Sequence, residues 1–539
     1  MLFRSIKVAL TLLLLGSGAG FALTTRQLVV TPGTPTATLD GRSLTLQNAP
    51  RIDGGRVLVP LVETLTLLGL PAVNVNDVPL EESGAVLVDS QTFVDLRWLG
   101  TASKLTFDIS PDNARVTITT QNAPTLDPGA PQARFAPEKS TYAPGERVTY
   151  VEYSFDPEGQ AITKREWTGR QDAFFAPGDY VVSLQVTNAQ GKMSAPHTRV
   201  VKVRGAAVAT PLQFALRHTA LGDTFSDSLV ASYPSLPIRG DANENFPLLF
   251  SDSPEKPSTA GVLYRDVVSG RARLLAYHVN GLSVPARVQV IARNVDARPV
   301  TIRSLGKGET APSRTEGTLG QVALLDYFTS EASPQFELLP GRFSAVYISP
   351  SLPIGAGVNL VQDIEADGRV ELSFVILPDD AVPTPETLGA LPILPLDALH
   401  QRGTFLGAVR RVQVTLGTLP ARLNIGDGVT DTGLVGTDVL TGTPMRLAGN
   451  YGVLYDVEVL GAANTVMALS PRGGLYRGAL QVFDADVTST VRVPRSGVLT
   501  NPERPLLLWR SQSERLNFKF VPANGSNLPV SLVFYRARP

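Results

Sequence analysis

Residues 177–188 read PGDYVVSLQVTN, and this stretch decides the class of fold. A Pro-Gly pair turns the chain. The run after it alternates: Val181, Ser183, Gln185 and Thr187 share one face, and Val182, Leu184 and Val186 the other. Period-2 alternation of this kind predicts a half-buried strand of a β-sandwich. Similar runs recur toward the C-terminus, among them RLLAYHVNG, VPARVQVIARN, RVELSFVILP, GVLYDVEVL and LNFKFVP. Helical periodicity is scarce from residue 211 onward, so the chain reads as mainly β and multidomain.

The length of 539 residues predicts three or four domains at about 150 residues each. With 43% hydrophobic and 18% charged residues, the chain has material for packed cores and too little charge for disorder. Its 47 glycines and 42 prolines point to many short elements joined by turns. Lys+Arg 48 against Asp+Glu 49 leaves no basic excess to follow a phosphate backbone, so nucleic acid is not an expected partner. Cysteine is absent, which removes disulfides, thiolate metal sites and cysteine nucleophiles. The four histidines, His197, His218, His278 and His400, are too far apart in sequence for an HxH or HxxxH ligand pair. No cofactor is expected.

The N-terminus has the pattern of a secretory signal over 1–22. Arg4 and Lys7 precede the apolar run Val8–Leu15, and Gly20-Phe21-Ala22 offers small residues for cleavage. The competing reading is an uncleaved anchor, but the run is short for a span of roughly 20 residues. No cysteine follows to take a lipid, and no later segment is apolar enough to cross a bilayer. The expectation is an exported protein of the periplasm, cell surface or extracellular space, with no transmembrane span once the signal is removed.

Residues 37–121 form the first expected unit. ATLDGRSLTL (37–46) reads as a hairpin about Asp-Gly, and RIDGGRVLVP (51–60) repeats the pattern. Pro60 can open a helix in which Leu61, Val62, Leu65 and Leu68 recur, with Gly69 closing it. AVLVDSQTFVDLRWLG (85–100) reads as strand, turn and short helix. KLTFDISPDNARVTITT (104–120) reads as a hairpin turning at Pro111-Asp112-Asn113. The phrases LDGRSLTL, GGRVLVPLVETLTLLGL, FVDLRWLG and DNARVTI resemble the copper amine oxidase N-terminal-like (stalk) domain. The resemblance implies a small α+β module of bacterial envelope proteins without copper or oxidase chemistry. It departs from the pattern at Trp98 and after Gly100. The oxidases themselves need an HxH pair and a Tyr in an N-Y-[DE] context; here Gly452 follows Asn450-Tyr451 and HxH is absent.

A linker, NAPTLDPGAPQ (122–132), leads to a second unit over 133–204. Ser154-Phe155-Asp156-Pro157-Glu158-Gly159, Trp167 and PGDYVVSLQVTN resemble a PKD immunoglobulin-type domain. That implies a β-sandwich with Trp167 in its core and a role in spacing, adhesion or contact with glycans and proteins. Beyond the hinge at 205–210, a β-rich domain is expected over 211–378. A Pro-rich connector follows over 379–399, with a short helix near Leu396–His400, and a further β-rich domain over 400–539. The phrase Gly-Val-Leu-Tyr occurs at 261–264 and 452–455, which fits either a duplicated sandwich or coincidence.

Candidate sites are few. Asp427, Asp431 and Asp438 cluster in a Gly-rich stretch and are weak Ca²⁺ candidates, since the strict spacing of a Ca²⁺ loop is missing. Asp252 with Glu255, and Asp484 with Asp486, are carboxylate pairs of the type a glycosidase uses, or simple turn residues. His278 alternates to the face opposite Tyr277 and Val279 and reads as a packed residue. Arg472, Tyr476 and Arg477 in PRGGLYRGALQVF lie on a Gly-rich turn able to contact a glycan or peptide. G-x-S-x-G in the mature region, H-E-x-x-H and the phosphate-binding loop pattern are all missing, so no catalytic residue is assigned. The expected function is adhesion or scaffolding at a bacterial envelope, with a cell-envelope component, a glycan or another surface protein as partner. The alternative is a secreted polysaccharide hydrolase with carboxylates in 211–539.

Overall fold

The computed structural model describes residues 25–70, 83–88, 91–103, 105–112, 114–120, 129–238 and 243–537. The expected signal, most of the linker and Asn113 of the expected turn lie outside them. The protein is mainly β and divides into two units, Met1–Phe214 and Ala215–Pro539.

In the first unit the local reading of turns holds. Strands Thr36–Leu39 and Arg42–Thr45 pair about Asp40 and Gly41, both at positive φ (50° and 78°), which suits a two-residue hairpin turn. Strands Arg51–Asp53 and Arg56–Pro60 pair about Gly54 and Gly55. Helix Leu61–Leu68 follows directly and ends at Gly69 in the left-handed conformation, whose N–H reaches back to Leu65 and Thr66 carbonyls. Strands Val86–Val88 and Gln91–Asp95 and helix Leu96–Ser103 complete the small sheet and its cover.

The larger sheet of this unit has eight strands. Strand Arg26–Val30 lies between Thr36–Leu39 and Val116–Thr120, and the latter pairs with Leu105–Ile109. At its other end strand Gly178–Asn188 pairs with Ile162–Thr168 and His197–Val203. Tyr180 lies parallel to Thr45, which joins residues 36–45 to the strands of 162–203. The strand expected to be half-buried is therefore covered on both faces. Val182, Leu184 and Val186 pack with Phe135, Phe174 and Val201, while Val181 joins the core of Leu44, Leu46 and Leu65. Trp167 is partly buried against the former core, edge-on to Phe135 at 4.7 Å.

In the second unit strands Gly261–Val279 and Gly357–Pro378 pair antiparallel along almost their whole length. They form the middle of a ten-stranded sheet. The sheet runs through the expected boundary at 379–399. Strand Pro247–Ser251 pairs parallel with Gly261–Val279 and antiparallel with Arg402–Leu406, which continues to Val435–Asp438. The chain on both sides of the connector thus builds one sheet. A six-stranded sheet is centred on Leu454–Leu460 and Arg515–Phe520, and a four-stranded one on Thr465–Pro471 and Val530–Arg536.

Two elements differ from expectation. The connector helix is Pro385–Ala390, not Leu396–His400. Thr384 caps it reciprocally with Thr387, and Pro385 suits its first turn. Residues 397–400 instead form a turn in which Asp397 accepts the N–H groups of Leu399 and His400. Helix Glu316–Thr329 has no counterpart in the sequence reading. Leu319, Ala323, Leu324 and Phe328 enter the core, and Gln321 is buried as well, so no clean apolar stripe marks it.

Candidate functional site

The loop before strand Gly261–Val279, the far end of that strand and the turn at 397–400 bring together five ionisable side chains: Asp252, Glu255, His278, Asp397 and His400. His400 lies between two carboxylates, with Nε2 2.7 Å from Glu255 and Nδ1 3.0 Å from Asp397. Both contacts are satisfied at once when both ring nitrogens carry protons. Asp397 organises the turn. It accepts N–H bonds from Glu255, Leu399 and His400, and its own N–H donates to Ser253 Oγ at 2.9 Å. Burial works to raise its carboxyl, but these donors outweigh it and hold the group at about 2. Asp252 goes the other way. Burial, then the charges of Glu255 and Asp397, push its carboxyl well up, and its Oδ1 is enclosed without a hydrogen-bond partner among the described residues.

His278 is fully buried behind this cluster. Its Nε2 lies 2.9 Å from Ser251 Oγ and its Nδ1 2.9 Å from the Pro254 carbonyl. With the ring proton on Nδ1, Ser251 donates to Nε2, which is the hydrogen-bond pattern of an activated serine. Ser251 is also wholly buried, so no substrate reaches its Oγ; the pair ties the loop to the strand. Burial pushes His278 down to about 4, which keeps it neutral near neutral pH.

The other acidic candidates do not converge. Asp427 closes its own turn, accepting from the N–H groups of Val429, Thr430 and Asp431 and from the Thr430 hydroxyl. Asp431 is buried against Arg410 and accepts from Tyr455 Oη at 2.6 Å. Asp438, equally buried, pairs with Arg402 at 3.1 Å. Asp484 accepts the Trp509 indole N–H, and Asp486 is exposed at a hairpin turn. The repeated Gly-Val-Leu-Tyr phrases reach different surroundings: Tyr264 Oη meets Thr404, and Tyr455 Oη meets Asp431.

The first unit carries an open groove of about 520 Å³ where residues 36–45 meet the Pro177-Gly178 turn. Hydroxyls of Thr31, Thr36, Thr38, Ser43 and Thr45 line it beside apolar surface from Val29, Ala37, Leu44 and Pro177, and Asp179 and Arg204 border it. Arg204 is held by its contact with Asp179 and by the Gly178 carbonyl at 2.8 Å. Asp179 N–H donates to Thr45 Oγ1 at 3.0 Å, so the groove wall is hydrogen-bonded across the two parts.

Sequence reasoning named Asp252 with Glu255 as a pair, named His278 and His400 without linking them to it, and missed Asp397, Ser251 and the groove. The Asp397-x-x-His400 spacing was a usable local signal; strand pairing alone brings the others together. No protein-family model matches the chain, and no curated protein matches it. One solved structure, of carbohydrate-binding modules from the β-sandwich superfamily with promiscuous specificity, is 12% identical over 47% of this chain and 99% of its own, with a TM-score of 0.13. A likeness that low carries no argument.

Proposed function

We propose that the protein is an exported binding or scaffold protein of a bacterial envelope, and that the hydroxyl-lined groove of residues 1–214 takes a glycan strand. The stalk-like and PKD-like resemblances of 37–121 and 133–204 supply the setting. The groove carries the reading: a row of hydroxyls beside apolar surface in an open trough suits a polyhydroxylated chain, whose hydroxyls exchange water contacts for similar ones and whose ring faces meet the apolar part. The many acidic side chains consumed by internal partners, such as Asp431 and Asp438, also favour binding over chemistry. The test is co-sedimentation of the protein with isolated envelopes. Saturable pelleting is expected, weakened several-fold by Ser43→Trp, which fills the groove from an exposed strand position. Undiminished pelleting of that variant would remove the groove from the reading.

A second reading has one observation in its favour. Asp252 is pushed up while neighbouring Asp397 is held at about 2, the opposed pair that acid–base hydrolysis of a polysaccharide uses. On this reading Asp252→Asn abolishes turnover and leaves the fold intact. A polysaccharide panel with no hydrolysis by the unaltered protein would dispose of it.

A further inference from the structure

The floor of the groove is the outward face of a sheet that continues well past it. On strand Arg26–Val30, Leu28 and Val30 are buried, which leaves Gln27 and Val29 on the outer face. The same alternation leaves Thr117 and Thr119 outward on Val116–Thr120, and Thr106 and Asp108 outward on Leu105–Ile109. Residues opposite each other in antiparallel strands share a face. The register therefore sets these side chains in rows that cross the strands.

One row runs from Ser43 to Thr38, Val29, Thr117 and Asp108. A second runs from Asp40, whose N–H donates to the Gln27 carbonyl, through Gln27 and Thr119 to Thr106. Adjacent rows lie two residues apart along each strand, about 6.7 Å. Only the Ser43, Thr38 and Val29 end of the first row lines the groove. Four strand-to-strand steps of about 4.8 Å carry that row about 19 Å to Asp108. Hydroxyls and a carboxamide fill most of the positions, with Val29 as an apolar step among them. The charges on the face are balanced. Asp40 lies 3.9 Å from Arg26, Asp179 holds Arg204, and Asp108 and Arg115 sit diagonally across one strand pair.

We propose that the binding site extends across this sheet and takes a long, uncharged polysaccharide chain. One end of the chain lies in the groove, and the rest crosses Thr117, Thr119 and Thr106. The inference rests on the glycan reading of the groove and adds the length and charge class of its ligand. A row several sugar rings long rewards a polymer, because each further ring is already tethered when it meets the next hydroxyl. A polyanion or polycation finds no excess of opposite charge there to draw it in.

The test is co-sedimentation of the full chain with isolated envelopes, comparing Ser43→Trp in the groove with Thr117→Trp and Thr106→Trp beyond it. Both distant positions face outward and accept an aromatic residue on a strand, so these variants should melt like the unaltered protein. Each should weaken pelleting at least about fivefold. Raising the salt from about 0.1 M to about 1 M should change the affinity by less than about twofold, since no ionic contact is there to screen. Pelleting should survive protease treatment of the envelopes and be lost after periodate, which cleaves the vicinal diols of sugars. If Ser43→Trp weakens pelleting while Thr117→Trp and Thr106→Trp do not, the extension is overturned and the groove reading stands. Loss of pelleting in high salt overturns the uncharged ligand. Pelleting that resists periodate but not protease removes the glycan reading of the groove, and this inference with it.

Discussion

Arg273 grips Asp363 through two parallel hydrogen bonds, Nε to Oδ1 at 2.7 Å and Nη2 to Oδ2 at 2.8 Å, with the arginine wholly shielded from water. The two residues face each other across the central strand pair. Tyr327, from helix Glu316–Thr329, closes the triangle: it accepts from Arg273 at 2.6 Å and donates to Asp363 at 2.8 Å. The remaining Nη1 points at the carbonyls of Ala408 and Gly452, at 3.5 and 3.4 Å. One buried charge pair therefore links both long strands, the helix and chain from beyond the connector.

Removing one partner should be severe. Asp363→Ala leaves Arg273 buried and unpaired, a loss of roughly 3–5 kcal/mol. Replacing both, Arg273→Met with Asp363→Leu, should recover much of that, since no orphaned charge remains. Denaturant unfolding measures both, and a single variant within about 1 kcal/mol of the unaltered protein would contradict the clamp.

Stability should fall on mild acidification through His278. Its folded value, about 4, lies below the ordinary 6.5, so the unfolded chain binds more protons between them. The contribution of neutral His278 is complete above pH 6.5 and is lost as pH falls toward 4. A shift of that size in a fully buried group corresponds to about 3 kcal/mol as an order of magnitude. Urea midpoints across this range should drop in the unaltered protein and change less in His278→Gln. Parallel curves would show that His278 is not the cause.

Gly308 should tolerate no side chain. A Cβ there would lie 1.9 Å from the Ala323 carbonyl oxygen and 2.5 Å from Tyr327 N, because the helix rests directly on strand Val300–Glu309. Gly308→Ala should destabilise the second unit by roughly 1–3 kcal/mol through overpacking. By contrast, Gly389→Ala has open space around it and should change little. Equal melting temperatures for the two variants would refute this packing.

Calcium should not alter the melting curve. Asp431 and Asp438 are themselves buried and face Arg410 and Arg402, so a cation would have to displace a paired guanidinium from each, that of Arg402 fully buried. Melting in excess Ca²⁺ and in EDTA should coincide; a Ca²⁺-dependent rise would show a site these ion pairs conceal.

Much of the local structure was legible. Asp40-Gly41, Gly54-Gly55 and Gly69 mark turns and a helix end because each needs a positive φ that few residues adopt. The β class followed from alternation in the run 177–188 and from similar β-rich runs toward the C-terminus. The helix at 316–329 was not legible, because side chains around most of its circumference are buried and its period is blurred. Val181 misled for a related reason. Alternation reports one covered face, and the second cover comes from residues more than a hundred positions earlier.

The sequence by itself determined a mainly β chain, without cysteine chemistry, punctuated at definite turns. These are short-range properties, set by backbone dihedrals and by the side-chain period along a single strand. Only the tertiary structure decided that strands on both sides of the Pro-rich connector share one sheet and that Asp397 and His400 meet Glu255. Those pairings link positions with no common period. They are settled by which faces exclude water together and which buried charges find partners, and a linear reading carries no mark of either.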